Sequence, residues 1–179
     1  MSVFRSREDS PRSRSYATCA DFCENFARDL QPLYRLALLL MGTPTEADQC
    51  LAVTIEDCVN ARSVFKGWER SWTRRCLVIN AIRHVFSQQS ESRWKTDLSR
   101  QIDPELGKIT AIRLAPPLLR FVFVMSVLEK YPMYDCALLL GCTQRDVVEA
   151  RINILRQLTD FDLTLTQTTQ QRMQAMVVA

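Results

Sequence analysis

The chain has 179 residues, of which 47% are hydrophobic, and its formal net charge is +3. This length allows one ordinary domain or two small ones. The longest apolar stretch, residues 36–41, is far shorter than the roughly 20 residues of a membrane span. The amino terminus, SVFRSREDSPRSRS, has no apolar signal core, so a cytoplasmic protein with no membrane partner is expected.

Residues 1–20 form a polar tail in which arginines stand among Ser and Pro: Arg5, Arg7, Arg12 and Arg14. The tail carries four basic and two acidic groups, the largest positive surplus of any segment of the chain. Such a tail is either a DNA-contacting arm or, more commonly, a solvated and disordered segment.

Residues 21–86 show the spacing of three amphipathic helices, enough for a small bundle. The first, over residues 21–41, contains Pro32, where a kink or a fresh start is expected. Gly42, Thr43 and Pro44 predict the end of the first helix followed by the start of the second. The second helix has the cleanest apolar stripe: Ala47, Cys50, Leu51, Thr54, Ile55, Cys58 and Val59. The third, from about Glu69 to Phe86, is predicted to bury Trp72, Val78, Ile79, Ile82, Val85 and Phe86.

Residues 87–113 are polar and charge-mixed, which predicts a flexible linker with a short helix near its end. Pro116 and Pro117 open a further helix, whose stripe is Leu118, Phe121, Val122, Met125 and Leu128. Residues 114–158 are predicted to form a second module, and residues 159–179 a tail without a clear period. The predicted fold class is all-α: two small helical modules joined by a polar linker. Because the linker offers little to bury, the modules are expected to fold independently.

Met133–Ile152, MYDCALLLGCTQRDVVEARI, fits a helix, a tight turn at Gly141 and a second helix. Gly141 suits the left-handed residue that ends the first helix, and Thr143 with Asp146 forms a capping pair that starts the second. Small or apolar residues stand where two helices meet: Cys136, Ala137, Leu140, Cys142, Val147 and Ala150. Such a unit is most often a DNA reader. The alternative is an αα-corner in a helical domain.

The carboxylates of this segment do not indicate an enzyme. Asp135, Asp146 and Glu149 lack a nucleophile, a lysine partner or a glycine-rich loop nearby, so capping and surface roles explain them. No cofactor and no small-molecule substrate are expected. Residues 114–158 carry five basic and four acidic groups, which is little charge for a tight, autonomous DNA binder.

The seven cysteines include no CxxC pair. Cys19 and Cys23 form a CxxxC, which suggests either a metal or redox pair or simply two reduced thiols. The chain has one histidine, His84, so reduced thiols and no metal site are favoured. Four other cysteines lie on apolar helix faces, where cysteine acts as a small hydrophobe: Cys50, Cys58, Cys136 and Cys142.

Two stretches, LYRLALLLMGTPTEAD (33–48) and LAPPLLRFVFVMSVLEKYPMYDCALLLGCTQRDVVEARINILRQL (114–158), resemble the extracytoplasmic-function type of bacterial sigma factor. Such subunits consist of a region-two helical bundle, a flexible linker and a region-four helix-turn-helix. The resemblance covers roughly residues 21–158 and is poorer between 49 and 83. It implies a protein that is not an enzyme and whose partners are promoter DNA and core RNA polymerase, bound through the β′ coiled coil.

The resemblance also implies three sets of functional residues. The recognition helix is 144–158, and its DNA contacts are Thr143, Gln144, Arg145, Val148, Glu149, Arg151 and Ile152. Candidates for promoter melting are Trp72, Arg74, Arg75, Asn80 and Arg83. Trp72 is either a stacking ring or, more commonly, a core residue. The polymerase-docking surface on the second helix consists of Asp48, Gln49, Ala52, Val53 and Glu56.

The chain departs from the family pattern at the docking surface and in the third helix. On the docking surface, Gln49 and Val53 occupy positions where the family has acidic residues, and Ala52 occupies the position of a glutamine. Val59 occupies the position of a Trp, and Ile79 that of an Arg. Two functions therefore stand. The first is a sigma factor that directs polymerase to a promoter, which the helix-turn-helix favours. The second is a degenerate sigma-like interaction module that binds a regulator, an anti-sigma protein or another sigma, which the lost charge favours.

Overall fold

The computed structural model describes residues 16–87 and 108–159, and all of their regular structure is helical. The all-α prediction is therefore confirmed for this part of the chain. The one extended pairing within these ranges is an isolated antiparallel bridge between Tyr16 and Phe65. The tail arginines, most of the predicted linker and residues 160–179 lie outside the described residues. None of the helices in the two described ranges is long and apolar enough to cross a membrane.

The first half is a bundle of α1 (Cys19–Met41), α2 (Pro44–Val59) and α3 (Glu69–Ser87). Helix α1 continues through Pro32, so the expected fresh start is not seen. Pro32 is exposed, and the residues after it bury the apolar face: Leu33, Leu36, Ala37 and Leu40. This burial offsets the hydrogen bond that proline cannot donate, which is the usual reason why a proline ends a helix.

The predicted end of α1 and the predicted start of α2 are both confirmed. Gly42 ends α1 with a φ of +86°, and its N–H donates to Leu38 O at 2.9 Å. Thr43 is the N-cap of α2, because its hydroxyl accepts from Glu46 N, and Pro44 occupies the first turn, where no N–H is needed. A left-handed glycine followed by a threonine cap lets α2 turn back along α1.

The second half consists of α4 (Lys108–Leu114), α5 (Pro117–Phe123), α6 (Met133–Leu140) and α7 (144–159), the last described as far as residue 159. Helix α4 matches the short helix expected near the end of the linker. Helix α5 continues as a π-helical turn, Val124–Leu128, in which Glu129 N donates to Val124 O at 2.9 Å. This wider turn rotates Leu128 out of the predicted stripe. Leu128 is 43% exposed, whereas the rest of that stripe is buried.

The two halves pack against each other and share one hydrophobic core, so the expectation that they fold independently is not supported. Helices α4 and α5 lie against α1. Arg113 donates from Nε and Nη2 to Gly42 O at 3.1 and 2.9 Å, and Arg120 Nη1 donates to Arg113 O at 2.7 Å. Phe86 and Phe121 meet at 6.3 Å between ring centroids. A polar linker offers little to bury, but α1 and α5 bury apolar faces against each other, and linker composition does not reveal this contact.

Candidate nucleic-acid interface

The turn between α6 and α7 has the local geometry that the sequence predicted. Gly141 adopts the left-handed conformation (φ 62°, ψ 33°), and Cys142 N donates to Ala137 O at 3.0 Å. Asp146 N donates to Thr143 Oγ1 at 3.2 Å, and Thr143 N donates to Asp146 Oδ2 at 2.9 Å. This reciprocal capping box fixes where α7 begins and satisfies two of its free donors.

One side of α7 is buried in the core and the opposite side faces outward. The inner side consists of Val147, Ala150 and Ile154, each completely buried. Six of the predicted DNA-contact residues are exposed: Thr143, Gln144, Arg145, Val148, Glu149 and Ile152. The seventh, Arg151, is half-buried. The predicted contact set therefore forms one accessible surface, which we call the α7 face.

The chemistry of the α7 face is mixed. Gln144 offers an amide, while Arg145 Nε is 2.8 Å from Glu149 Oε1 on the next turn. Both partners of this i,i+4 pair are more than half exposed, so it holds Arg145 only weakly. Val148 and Ile152 continue into exposed Leu155, so an apolar stripe at helical spacing runs along the same face.

A second candidate surface lies at the corner between α2 and α3, where exposed aromatic side chains surround a cleft of about 590 Å³. Phe65, Trp68, Trp72 and Tyr131 line it together with Arg74, Arg75 and Glu129. Phe65 stacks on Tyr16 with ring centroids 5.1 Å apart and meets Trp68 edge-on at 6.2 Å. We call this the aromatic cleft.

The prediction that Trp72 is a buried core residue is wrong, because Trp72 is 38% exposed and lines the aromatic cleft. The neighbouring position, Thr73, is the buried one and accepts a hydrogen bond from Asn25 Nδ2 at 3.2 Å. Successive helical residues point about 100° apart, so a helix that buries Thr73 turns Trp72 toward the cleft. Phe65, Trp68 and Tyr131 were not among the predicted site residues. The signal that could have found Phe65 and Trp68 is the density of aromatic residues in the segment before α3, whereas Tyr131 reaches the cleft only through the packing of the second half.

The other promoter-melting candidates are placed differently. Asn80 is buried, at 7% exposure, and donates to Thr54 Oγ1 at 3.3 Å and Asp57 Oδ2 at 2.9 Å, so its side chain ties α3 to α2. Arg74 is half-buried and makes a two-pronged ion pair with Glu129. Arg75 and Arg83 are exposed. The aromatic cleft therefore brings Trp72, Arg74 and Arg75 together, while Asn80 serves the core.

The predicted docking residues of α2 form one exposed surface: Asp48, Gln49, Ala52, Val53 and Glu56. Val53 contributes an apolar side chain that is 49% exposed. Asp48 and Glu56 contribute two carboxylates. This surface can make apolar contacts and accept hydrogen bonds.

The cysteines of the described helices show where thiols are buried and where they are open to solvent. Cys50, Cys58 and Cys136 are buried, as predicted, and burial raises the pKa of the Cys50 and Cys136 thiols to about 11. The Sγ atoms of Cys19 and Cys23 lie 4.0 Å apart in the first turns of α1, and both are exposed. No cluster of three or more His, Cys, Asp or Glu side chains that could hold a metal ion occurs within residues 16–87 and 108–159.

Comparison with known proteins finds no match to this chain among family models, curated proteins or solved structures. The α7 face and the aromatic cleft each offer cations together with flat or apolar side chains, whereas the exposed side of α2 offers two carboxylates together with apolar side chains.

Proposed function

We propose that this chain is a sigma-like transcription initiation protein, with a region-two-like first half and a region-four-like second half, that brings core RNA polymerase to promoter DNA. The observation that carries the proposal is the open α7 face, which begins immediately after a capped turn. Gln144 and Arg145 stand in the first turn of α7 and Val148 one turn later, all exposed. These are the positions and side-chain types with which a recognition helix reads base edges in the major groove.

The aromatic cleft supports the same proposal, because opening a promoter exposes unpaired bases. Base stacking on aromatic side chains stabilises single-stranded DNA by about 1–3 kcal/mol per base, whatever the sequence. Trp68 and Trp72 provide exposed rings, and Arg75 an exposed cation beside them. In this proposal Trp72 and Arg75 contact melted DNA, while Asn80 positions α3.

The exposed side of α2 is proposed to dock on the β′ coiled coil of polymerase. Asp48 and Glu56 would contribute carboxylates, and Ala52 and Val53 would contribute apolar side chains. A docking surface that has lost polar groups is expected to bind more weakly than the family pattern. The affinity of this surface for polymerase is therefore the most direct measure of whether the chain still works as a sigma factor.

A second candidate function is a sigma-like interaction module without promoter activity, which binds an anti-sigma or other regulatory protein. The observation in its favour is the apolar stripe Val148, Ile152 and Leu155, since such spacing suits the groove of a protein partner better than phosphates. The pairing of Arg145 with Glu149 also reduces the charge that this face offers to DNA.

The deciding experiment is capture of core polymerase by the wild-type chain and by the double variant Ala52→Gln/Val53→Glu, which restores the family's residue types. A matched control is Ala20→Gln/Ala27→Glu, which introduces the same side chains at exposed positions of α1. Capture by the wild type supports the sigma proposal. Capture only after the α2 substitutions supports the interaction module. Absence of capture by every protein contradicts the docking role of α2.

A further inference from the structure

Arg74 of α3 and Glu129, which directly follows the π-helical turn, join the two halves of the chain inside the aromatic cleft. Arg74 Nε donates to Glu129 Oε2 at 2.7 Å, and Nη2 donates to the other carboxylate oxygen. The Glu129 side chain is only 9% exposed, and that of Arg74 29%. An ion pair shielded to this degree, with two parallel hydrogen bonds, holds its partners more firmly than an exposed pair.

The segment that presents Glu129 is held by backbone hydrogen bonds within the second half and by the ion pair to Arg74. Lys130, the next residue, has a φ of +57°, a left-handed conformation that residues with a Cβ rarely adopt. Tyr131 N donates to Met125 O at 2.8 Å and so fixes the far end of the segment. Release of Glu129 from Arg74 would remove the one contact of this group that comes from the first half.

The pair also removes a cation from the cleft. A phosphate that binds Arg74 through Nε and Nη2 must displace the carboxylate that already uses these two donors. Arg75 remains exposed beside it, and so do the rings of Trp68 and Trp72. The cleft of the closed chain therefore offers stacking surfaces, but only part of its positive charge.

We propose that Arg74 and Glu129 form a latch that regulates the aromatic cleft: the ion pair and the binding of a nucleic-acid phosphate at Arg74 exclude one another. This inference rests on the proposed function, because it takes single-stranded DNA as the ligand of the cleft. Coupling of this kind is reciprocal. DNA in the cleft loosens the contact between the halves at Glu129, and a firm contact between the halves weakens DNA binding.

The test uses the full chain and a fluorescent oligothymidylate, with affinity measured by anisotropy at one fixed salt concentration. Glu129→Gln keeps the size of the side chain and removes its charge. The matched control is Glu69→Gln, because Glu69 accepts from Gly67 N at 2.8 Å in the loop beside the same cleft but does not hold Arg74. Glutamine preserves that acceptor, so the control reports the long-range effect of removing one negative charge.

Glu129→Gln is expected to bind the oligonucleotide about tenfold more tightly, the effect of releasing one charge-assisted pair, and Glu69→Gln less than about twofold. In an Arg74→Gln background, Glu129→Gln should change the affinity no more than the Glu69→Gln control does, because the latch acts through Arg74. Hydrogen exchange at residues 129–131 of the wild type should increase when the oligonucleotide is bound. Circular dichroism of each variant establishes that it is folded before affinities are compared.

The outcomes separate this inference from the function on which it rests. If the wild type binds the oligonucleotide and the two Glu→Gln variants behave alike, the latch is refuted and the cleft keeps its role in DNA binding. If Glu129→Gln also tightens binding in the Arg74→Gln background, the effect is general electrostatics and the latch is again refuted. If no variant binds, the proposed role of the cleft fails, and the latch with it.

Discussion

Gly42 lies where α1 ends and where the two halves of the chain meet, so alanine at this position probes both the backbone and the packing between the halves. The φ of Gly42 is +86°, which residues with a Cβ rarely adopt. A Cβ on residue 42 would lie 2.6 Å from Arg120 Nη1 and 3.0 Å from Arg113 O. Gly42→Ala therefore combines backbone strain with a collision against two residues of the second half.

The expected loss of stability follows from these two contributions. The positive φ costs about 1–2 kcal/mol for a residue with a side chain. Displacing the Arg120 guanidinium adds about 1–3 kcal/mol, the usual cost of overpacking a well-filled site. Arg120 has little room to move, because it is buried, and this burial lowers its pKa to about 10. The total is about 3 kcal/mol, measurable by urea unfolding followed by circular dichroism.

Gly67→Ala is the matched control, because Gly67 also has a positive φ, +92°. In the part of the chain that the structure describes, no atom beyond its two sequence neighbours lies within 4 Å of the position that an alanine methyl group would occupy. This control carries strain alone and should cost about 1–2 kcal/mol. The difference of about 2 kcal/mol measures the contact between the halves. Equal losses for the two variants would refute the conclusion that the halves are packed together at Gly42.

Three further results are expected. Asn80→Ala should lower the free energy of unfolding by about 1–3 kcal/mol, since it removes buried hydrogen bonds, but should leave the affinity for single-stranded DNA unchanged; a selective loss of DNA binding would contradict its core role. Thr143→Ala should cost about 1 kcal/mol through loss of the α7 cap, and an unchanged unfolding midpoint would contradict the capping box. Hydrogen bonds from Thr18 lower the pKa of Asp21 to about 2 from 3.8, so the carboxylate stabilises the fold above about pH 4 and loses this effect as the pH falls toward 2. The stability difference between wild type and Asp21→Asn, followed by urea titrations across this range, should therefore disappear at the acid end.

Local features of this fold could be predicted from the sequence because they depend on a few neighbouring residues. The stop at Gly42, the cap at Thr43 and the left-handed turn at Gly141 each follow from the conformational preference of one or two residues, and each is confirmed. The exposure of the residues of the α7 face follows from helical periodicity once the position of the turn is known. These are short-range properties that no distant part of the chain overrides.

Features that depend on contacts between distant segments could not be predicted in the same way. Trp72 has the spacing of a core residue, but it is exposed because Thr73 makes the buried contact with Asn25, 48 positions away. Leu128 fits the stripe of α5 until the π-helical turn shifts the register. Neither the partner of Thr73 nor the wider turn is marked by a sequence pattern. Periodicity alone therefore predicts that Trp72 and Leu128 are buried, whereas both are exposed.

The packing between the halves also changes how the charge of the chain should be counted. A net charge of +3 treats every arginine as available to DNA. Arg113 and Arg120 instead donate to backbone carbonyls at the junction of the halves, and Arg74 is held by Glu129. Since phosphate neutralisation supplies much of the affinity of a DNA-binding protein, the free chain should bind duplex DNA weakly and with a shallow salt dependence. If the plot of log binding constant against log salt concentration has a slope steeper than about −4 for the free chain, these arginines are released on binding. If the slope is shallow and becomes steeper when polymerase is added, the partner supplies the missing charge.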